Sequence, residues 1–141
     1  MWRIALITAL VGTLLTGGLS APTQAGNPDY GRVWAADKIL RDGCHGYRYQ
    51  YRVRPRSNDW SLETFLVDPR GESIAHNAID SDSNAKRGSD RFRFCRYSTR
   101  PGRFKIRGKL TIYHKAEFPL IEEDTQRVVW IKPGYFRMRR P

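Results

Sequence analysis

Between Tyr47 and Val53 the chain alternates without a break: Tyr47, Tyr49, Tyr51 and Val53 are apolar or aromatic, with Arg48, Gln50 and Arg52 between them. Successive side chains of a strand leave opposite faces of a sheet, so a period of two marks a strand with one buried and one wetted face. A helix would scatter the same residues round its whole circumference. The tyrosines therefore go inward and the arginines outward, in a sheet of the kind that antiparallel domains build.

The same pattern returns at residues 91–97 and 103–113, and Ser98-Thr99-Arg100-Pro101-Gly102 reads as a hairpin connection between them. Residues 60–67 read as a strand without clean alternation, as expected of one buried on both faces or bulged. Asp68-Pro69-Arg70-Gly71 places Asp, Pro and Gly where a type I turn favours them, and sends the chain back through 72–79. Residues 80–89 form a polar loop, 128–131 a last strand and 132–141 a basic tail. The stretch 33–40 fits either a short strand or a helical turn. Six or seven short strands with no helical period predict an all-β fold, a small antiparallel β-sandwich of immunoglobulin-like or jelly-roll-like form.

Ahead of this pattern stand Met1-Trp2-Arg3, an apolar run from Ile4 to Leu15, and small residues ending in Thr23-Gln24-Ala25. That order is the signature of a secretory signal cleaved after Ala25, and the run is too short and too interrupted for a membrane span. Residues 1–25 are thus expected to be a signal peptide and 26–141 a single secreted domain of 116 residues with no transmembrane segment. An exported chain meets an oxidising space, so Cys44 and Cys95, the two cysteines, are expected to pair. Closing a loop of this length stabilises a fold by roughly 4 kcal/mol in the chain-entropy description.

The run from Trp60 through Phe65, Asp68-Pro69-Arg70-Gly71 and Ile74, followed by Phe92-x-Phe94 and Pro101-Gly102-Arg103-Phe104-Lys105-Ile106, resembles the bacterial pre-peptidase C-terminal domains. The resemblance spans roughly residues 45–112 and implies a secreted jelly-roll or immunoglobulin-like sandwich with a non-enzymatic role. It departs from that pattern in its cysteine pair, its positive charge and the lack of an attached protease, and it carries over no binding residue. Cys44, Trp60 and Cys95 also follow the order of an immunoglobulin cystine and its tryptophan. Parity opposes a literal match, because Cys95 is out of phase with Phe92 and Phe94, and Cys44 with Tyr47, Tyr49 and Tyr51. Unless Gly46 marks a bulge that resets the phase, the bridge belongs at strand ends or on the outer face.

Catalysis finds little support in the residues. There is no Gly-x-Ser-x-Gly elbow, and His45, His76 and His114 lack metal-ligand spacing. Glu122, Glu123 and Asp124 read as a solvated acidic patch. Asp80, Asp82 and Asn84 match the opening ligand positions of a calcium loop, but Ala85 stands where the turn wants Gly and Arg91 where the loop wants a bidentate Glu. An Asx-rich turn accounts for the same letters. No cofactor is expected, and a small hydrolase is the least supported alternative.

Charge is the informative property. The chain carries 25 Lys and Arg against 14 Asp and Glu, a net +11, and nineteen of those bases are arginine. If Phe104, Ile106, Leu110 and Ile112 point inward, then Arg103, Lys105, Arg107 and Lys109 point outward, joined by Arg91 and Arg93 on the preceding strand. Arg48 and Arg52 extend the array if their strand shares the sheet. Such a surface suits an anionic cell-wall polymer, an anionic lipid surface or an acidic protein, and export argues against sequence-specific nucleic-acid recognition. The competing reading is a structural or protein-interaction domain whose positive face is merely solvated. In the tail, Tyr135, Phe136 and Met138 interleave with Arg137, Arg139 and Arg140, as in a docking segment or in a closing edge strand.

Overall fold

The computed structural model describes residues 25–116 and 123–141, so the expected signal segment lies outside the described residues except for Ala25. The described residues form eight strands: β1 (Asn27–Trp34), β2 (Lys38–Ile39), β3 (Cys44–Val53), β4 (Trp60–Val67), β5 (Ser73–Asp80), β6 (Arg87–Cys95), β7 (Gly102–His114) and β8 (Thr125–Arg139). A 3-10 turn, Arg96–Ser98, links β6 to β7. The strands make one sheet in the order β5-β4-β7-β8-β1-β3-β6, with β2 also on β8. The sheet curls until its edges β5 and β6 lie alongside, giving a nearly closed sandwich of barrel-like form. The fold class is as expected, except that β1 and β2 run parallel to β8.

The alternation in β3 works as its period requires: Tyr47, Tyr49, Tyr51 and Val53 are buried, and Arg48, Gln50 and Arg52 are exposed. Its tyrosines stack on the inward phenylalanines of β6, Tyr49 on Phe92 at 4.2 Å between centroids and Tyr47 on Phe94 at 4.6 Å. Phe94 in turn meets Phe104 of β7 at 6.3 Å, and Phe104 meets Phe136 of β8 at 5.6 Å. Such aromatic layers bury the large areas on which a small domain depends.

The Asp68 turn closes as its residues dictate, with the Gly71 amide bonded to the Asp68 carbonyl and Gly71 at φ 86°. Of four expectations, three are corrected and one alternative left open is decided. Residues 60–67 alternate regularly, with Trp60, Leu62, Thr64 and Leu66 inside; the half-exposed face holds Ser61, Glu63, Phe65 and Val67, which hid the period. Residues 33–40 form the end of β1 and the short β2, not a helical turn. β6 and β7 are not a hairpin, because β6 pairs with β3 while β7 pairs with β4 and β8.

The fourth concerns the basic tail, which is the second half of β8, a central strand with Phe136 and Met138 buried. At Pro133, two β8 residues, Lys132 and Pro133, oppose the single Arg107 between the pairs Ile106 with Gly134 and Gly108 with Ile131. This bulge tolerates a proline that has no amide to donate.

Cys44 and Cys95 are bridged, directly opposed at the ends of β3 and β6. They share a face with Arg48 and Arg91, and the register from Gly46 onward is unbroken, so no bulge brings the bridge into the core.

Candidate functional site: the cationic outer surface

The register of β3 against β6 sets arginine opposite arginine on the outer face: Arg48 faces Arg91, and Arg52 faces Arg87. Like charges directly opposed across strands are destabilising. Arg93 faces Gly46, where a Cβ would come within 3.4 Å of Arg91 Cδ and 4.0 Å of Arg93 Cγ, so both arginine stems lie over the glycine. Lys38, Arg41, Arg48 and Arg91 line an open groove of about 710 Å³ beside them. Burial and the neighbouring Arg48 charge hold the Lys38 ammonium below its ordinary pKa.

On β7, Arg103, Lys105, Arg107 and Lys109 alternate with buried Phe104, Ile106, Gly108 and Leu110, as expected. Lys109 bonds Glu63 at 2.6 Å, and this bond leads the causes that hold the Glu63 carboxyl below its usual range. Arg103 faces Arg137 of β8. Its guanidinium lies over the Tyr135 ring at 4.3 Å, Lys105 approaches the same ring at 5.7 Å, and Arg107 lies over Trp130 at 4.2 Å. Trp130 leads on to Phe65 at 6.0 Å and Phe65 to His76 at 4.8 Å. The flat cations are thus held against aromatic faces, an attraction that fixes a side chain without cancelling its charge.

The eight candidate cations do not share one surface. β6 ends the strand order and β7 lies four places away, so Arg91 and Arg93 pair with Arg48 and Gly46 and stand apart from the β7 cations. The two zones are joined by a row in register. Arg87 is opposite Arg52, Arg52 opposite Arg32, and Arg32 opposite Lys132, which adjoins Arg107 at the bulge. Beyond Arg107 the row continues to Phe65 and then His76. Arg32, Arg87, Trp130, Lys132 and Arg137 belong to this surface and were not among the expected residues. The alternation of Tyr135, Arg137 and Arg139 with Phe136 and Met138 was the signal for Arg137; nothing local revealed Arg32, whose place depends on two non-local pairings.

Several carboxylates pair with other cations, although Asp37 accepts the Arg137 amide at 2.8 Å and Asp90 the Arg91 amide at 2.7 Å. Among the described residues Asp68 and Glu72 pair with Arg70, Asp42 with Arg96, Asp59 with Lys115 and Asp37 with Arg139. Of the eight expected cations only Lys109 has its charged group within 4.0 Å of a described carboxylate; the charged groups of Arg48, Arg52, Arg91, Arg93, Arg103, Lys105 and Arg107 have none.

The remaining candidates resolve into local structure. The Asp80 carboxylate accepts the amides of Asp82 and Ser83, each at 3.1 Å, and Asn84 Nδ2 donates to the Asp80 carbonyl. That is an Asx turn, and no group of three His, Cys, Asp or Glu gathers for a metal among the described residues. His45 bonds the Asp42 carbonyl, His76 lies beside Glu63, and His114 ends β7 exposed. Among the described residues no helix is long and apolar enough to cross a membrane. No protein-family model, curated protein or solved structure matches the chain.

Proposed function

We propose that this protein is a non-catalytic binding module for an anionic cell-surface or extracellular partner, which it meets with its outer cations. One observation carries the reading: Arg48 with Arg91, Arg52 with Arg87 and Arg103 with Arg137 are opposed across strands, and none of their guanidinium groups has a described carboxylate within 4.0 Å. An ordinary solvated face intersperses its signs, and a sheet gains from opposite charges at such positions. Arrays of one sign raise the local potential by several kT and draw an oppositely charged partner. Arginine suits that role because its planar fork meets an oxyanion with two parallel bonds.

The test is retention of the purified protein on anionic cell-wall material, anionic vesicles and neutral controls across a salt series. Steep loss of retention as the screening length falls to about 8 Å is the expected outcome. Binding that ignores salt, or failure to bind any anionic material, would replace this reading with that of a structural or protein-interaction domain.

A further inference from the structure

The row Arg87, Arg52, Arg32, Lys132, Arg107 occupies five consecutive strands, β6, β3, β1, β8 and β7. Neighbouring strands lie about 4.8 Å apart, so the row runs about 19 Å at the level of the backbone. Seven strands make up the pairing order and the sheet nearly closes, so four steps turn the row through more than half of the circumference. Arg87 and Arg107 therefore face away from one another. A flat membrane, or one face of a folded protein, meets one end of such a row and misses the other. A flexible chain winds round the barrel and meets every member. Barrel strands are inclined to their axis by about 35–45°, so a row perpendicular to them climbs, and a wound chain passes its own start without colliding.

From this geometry we infer that the row is a track for a flexible polymer with phosphate in its backbone, an inference that rests on the anionic-partner reading above. Backbone phosphate presents one charge per repeat unit whichever way the chain turns, and the four arginines offer forks that match its oxygens. None of the five cations has a described carboxylate within 4.0 Å to compete. The row then runs past Arg107 to Phe65 and His76, with Trp130 beneath the Arg107 guanidinium. Rings carried by the polymer would stack at that end.

Two probes separate the sources of phosphate: inorganic polyphosphate, which has no rings, and oligothymidylates from the dinucleotide to about twenty nucleotides. Binding is read by fluorescence anisotropy across a salt series, beside anionic vesicles. Affinity is expected to climb with chain length and level off once the row is spanned. The salt slope for the single strand should be about −3.5, from five contacts at about 0.7 each. Removing the two ends, Arg87→Gln with Arg107→Gln, should cut that slope by about 1.4. Arg100→Gln with Arg140→Gln, which removes the same charge off the row, should leave it nearly unchanged. If Trp130→Ala lowers oligothymidylate affinity and spares polyphosphate, the ring-bearing polymer is the favoured source; equal binding of both probes assigns the site to phosphate alone. Equal losses from the two double variants would overturn the track, as would vesicles binding as tightly as long chains. In either case salt-sensitive retention would still support the anionic-partner reading, whereas failure of every anionic probe would sink both.

Discussion

The hydroxyls of Tyr49 and Thr64 meet at 2.7 Å inside the barrel, and this bond ties strand β3 to strand β4 across the core. Both residues are buried. Asn77 of β5 stands at 3.4 Å from the same tyrosine hydroxyl and donates to the Arg91 carbonyl of β6 at 2.9 Å, spanning the seam where the sheet edges approach. A core strand can carry a threonine inward only when its hydroxyl finds such a partner.

Tyr49→Phe removes the partner of the Thr64 hydroxyl, and Thr64→Val leaves the Tyr49 hydroxyl with only the longer contact to Asn77. Thr64→Val or Tyr49→Phe alone should each lower the unfolding free energy by about 1–3 kcal/mol, the penalty of an unsatisfied buried group. The double variant should cost less than the sum of the two, because both polar partners leave together. Urea unfolding of the four proteins measures this; strict additivity would refute the coupling.

Burial pushes up the Tyr51 phenol, and Tyr49 should resist ionisation more strongly still. Burial, eased only in part by its bonds to Thr64 and Asn77, pushes its phenol from 10.0 up to about 12. A raised folded-state value means that the contribution to stability is complete below pH 10 and is lost as pH climbs from 10 toward 12. Ultraviolet difference titration should show a phenol ionising near 12 that is missing from Tyr49→Phe, together with a steep fall in stability over the same window.

The strands were legible in the sequence because alternation is local, whereas their pairing was not. Tyr47, Tyr49 and Tyr51 announce β3 on their own, but nothing near them names β1 and β6 as partners. The short link after Cys95 suggested a hairpin, yet the chain crosses the sandwich there and brings Phe94 face to face with Phe104. The last strand was expected to stop at Ile131, with a tail after it; instead it continues through a bulge at Lys132 and Pro133. The outward set of β7 followed from parity alone. Its separation from Arg91 and Arg93, and the row linking the two zones through Arg32 and Lys132, depend on contacts that only the closed sheet makes.

Asp68 predicts an acid limit to stability. Its buried carboxylate accepts the amides of Arg70 and Glu72, the Arg70 guanidinium and the Thr99 hydroxyl, and so locks the β4–β5 turn to the segment before β7. Burial works against the charge, but the Thr99 hydroxyl, the Glu72 amide and the Arg70 side chain outweigh it and hold the carboxyl below 3.8. A depressed value gives stability that is complete above pH 3.8 and fades as pH falls through the lower folded value. Asp68→Asn should cost about 1.5–3 kcal/mol at neutral pH, the range for bonds to a charged group, and should flatten the acid limb of the stability profile. An unchanged acid limb would show that other carboxylates set it.

The opposed arginines make the sharpest separation of stability from binding. Arg91 directly faces Arg48 and both are exposed, so Arg91→Glu turns a cross-strand repulsion into an attraction. Pairs of this kind contribute roughly 0.2–1 kcal/mol, and the exchange should raise the unfolding free energy by about 1 kcal/mol. The same change removes a cation from the groove that Arg91 shares with Lys38, Arg41 and Arg48 and places an anion there. Retention on anionic material should drop by at least the loss seen with Arg91→Gln, while the midpoint of thermal unfolding rises. Such opposite movement is the mark of a surface kept for an external partner at the expense of stability. If Arg91→Glu destabilises the fold, the arginine pair is structural; if it stabilises the fold and leaves retention unchanged, the anion lies on another part of the surface.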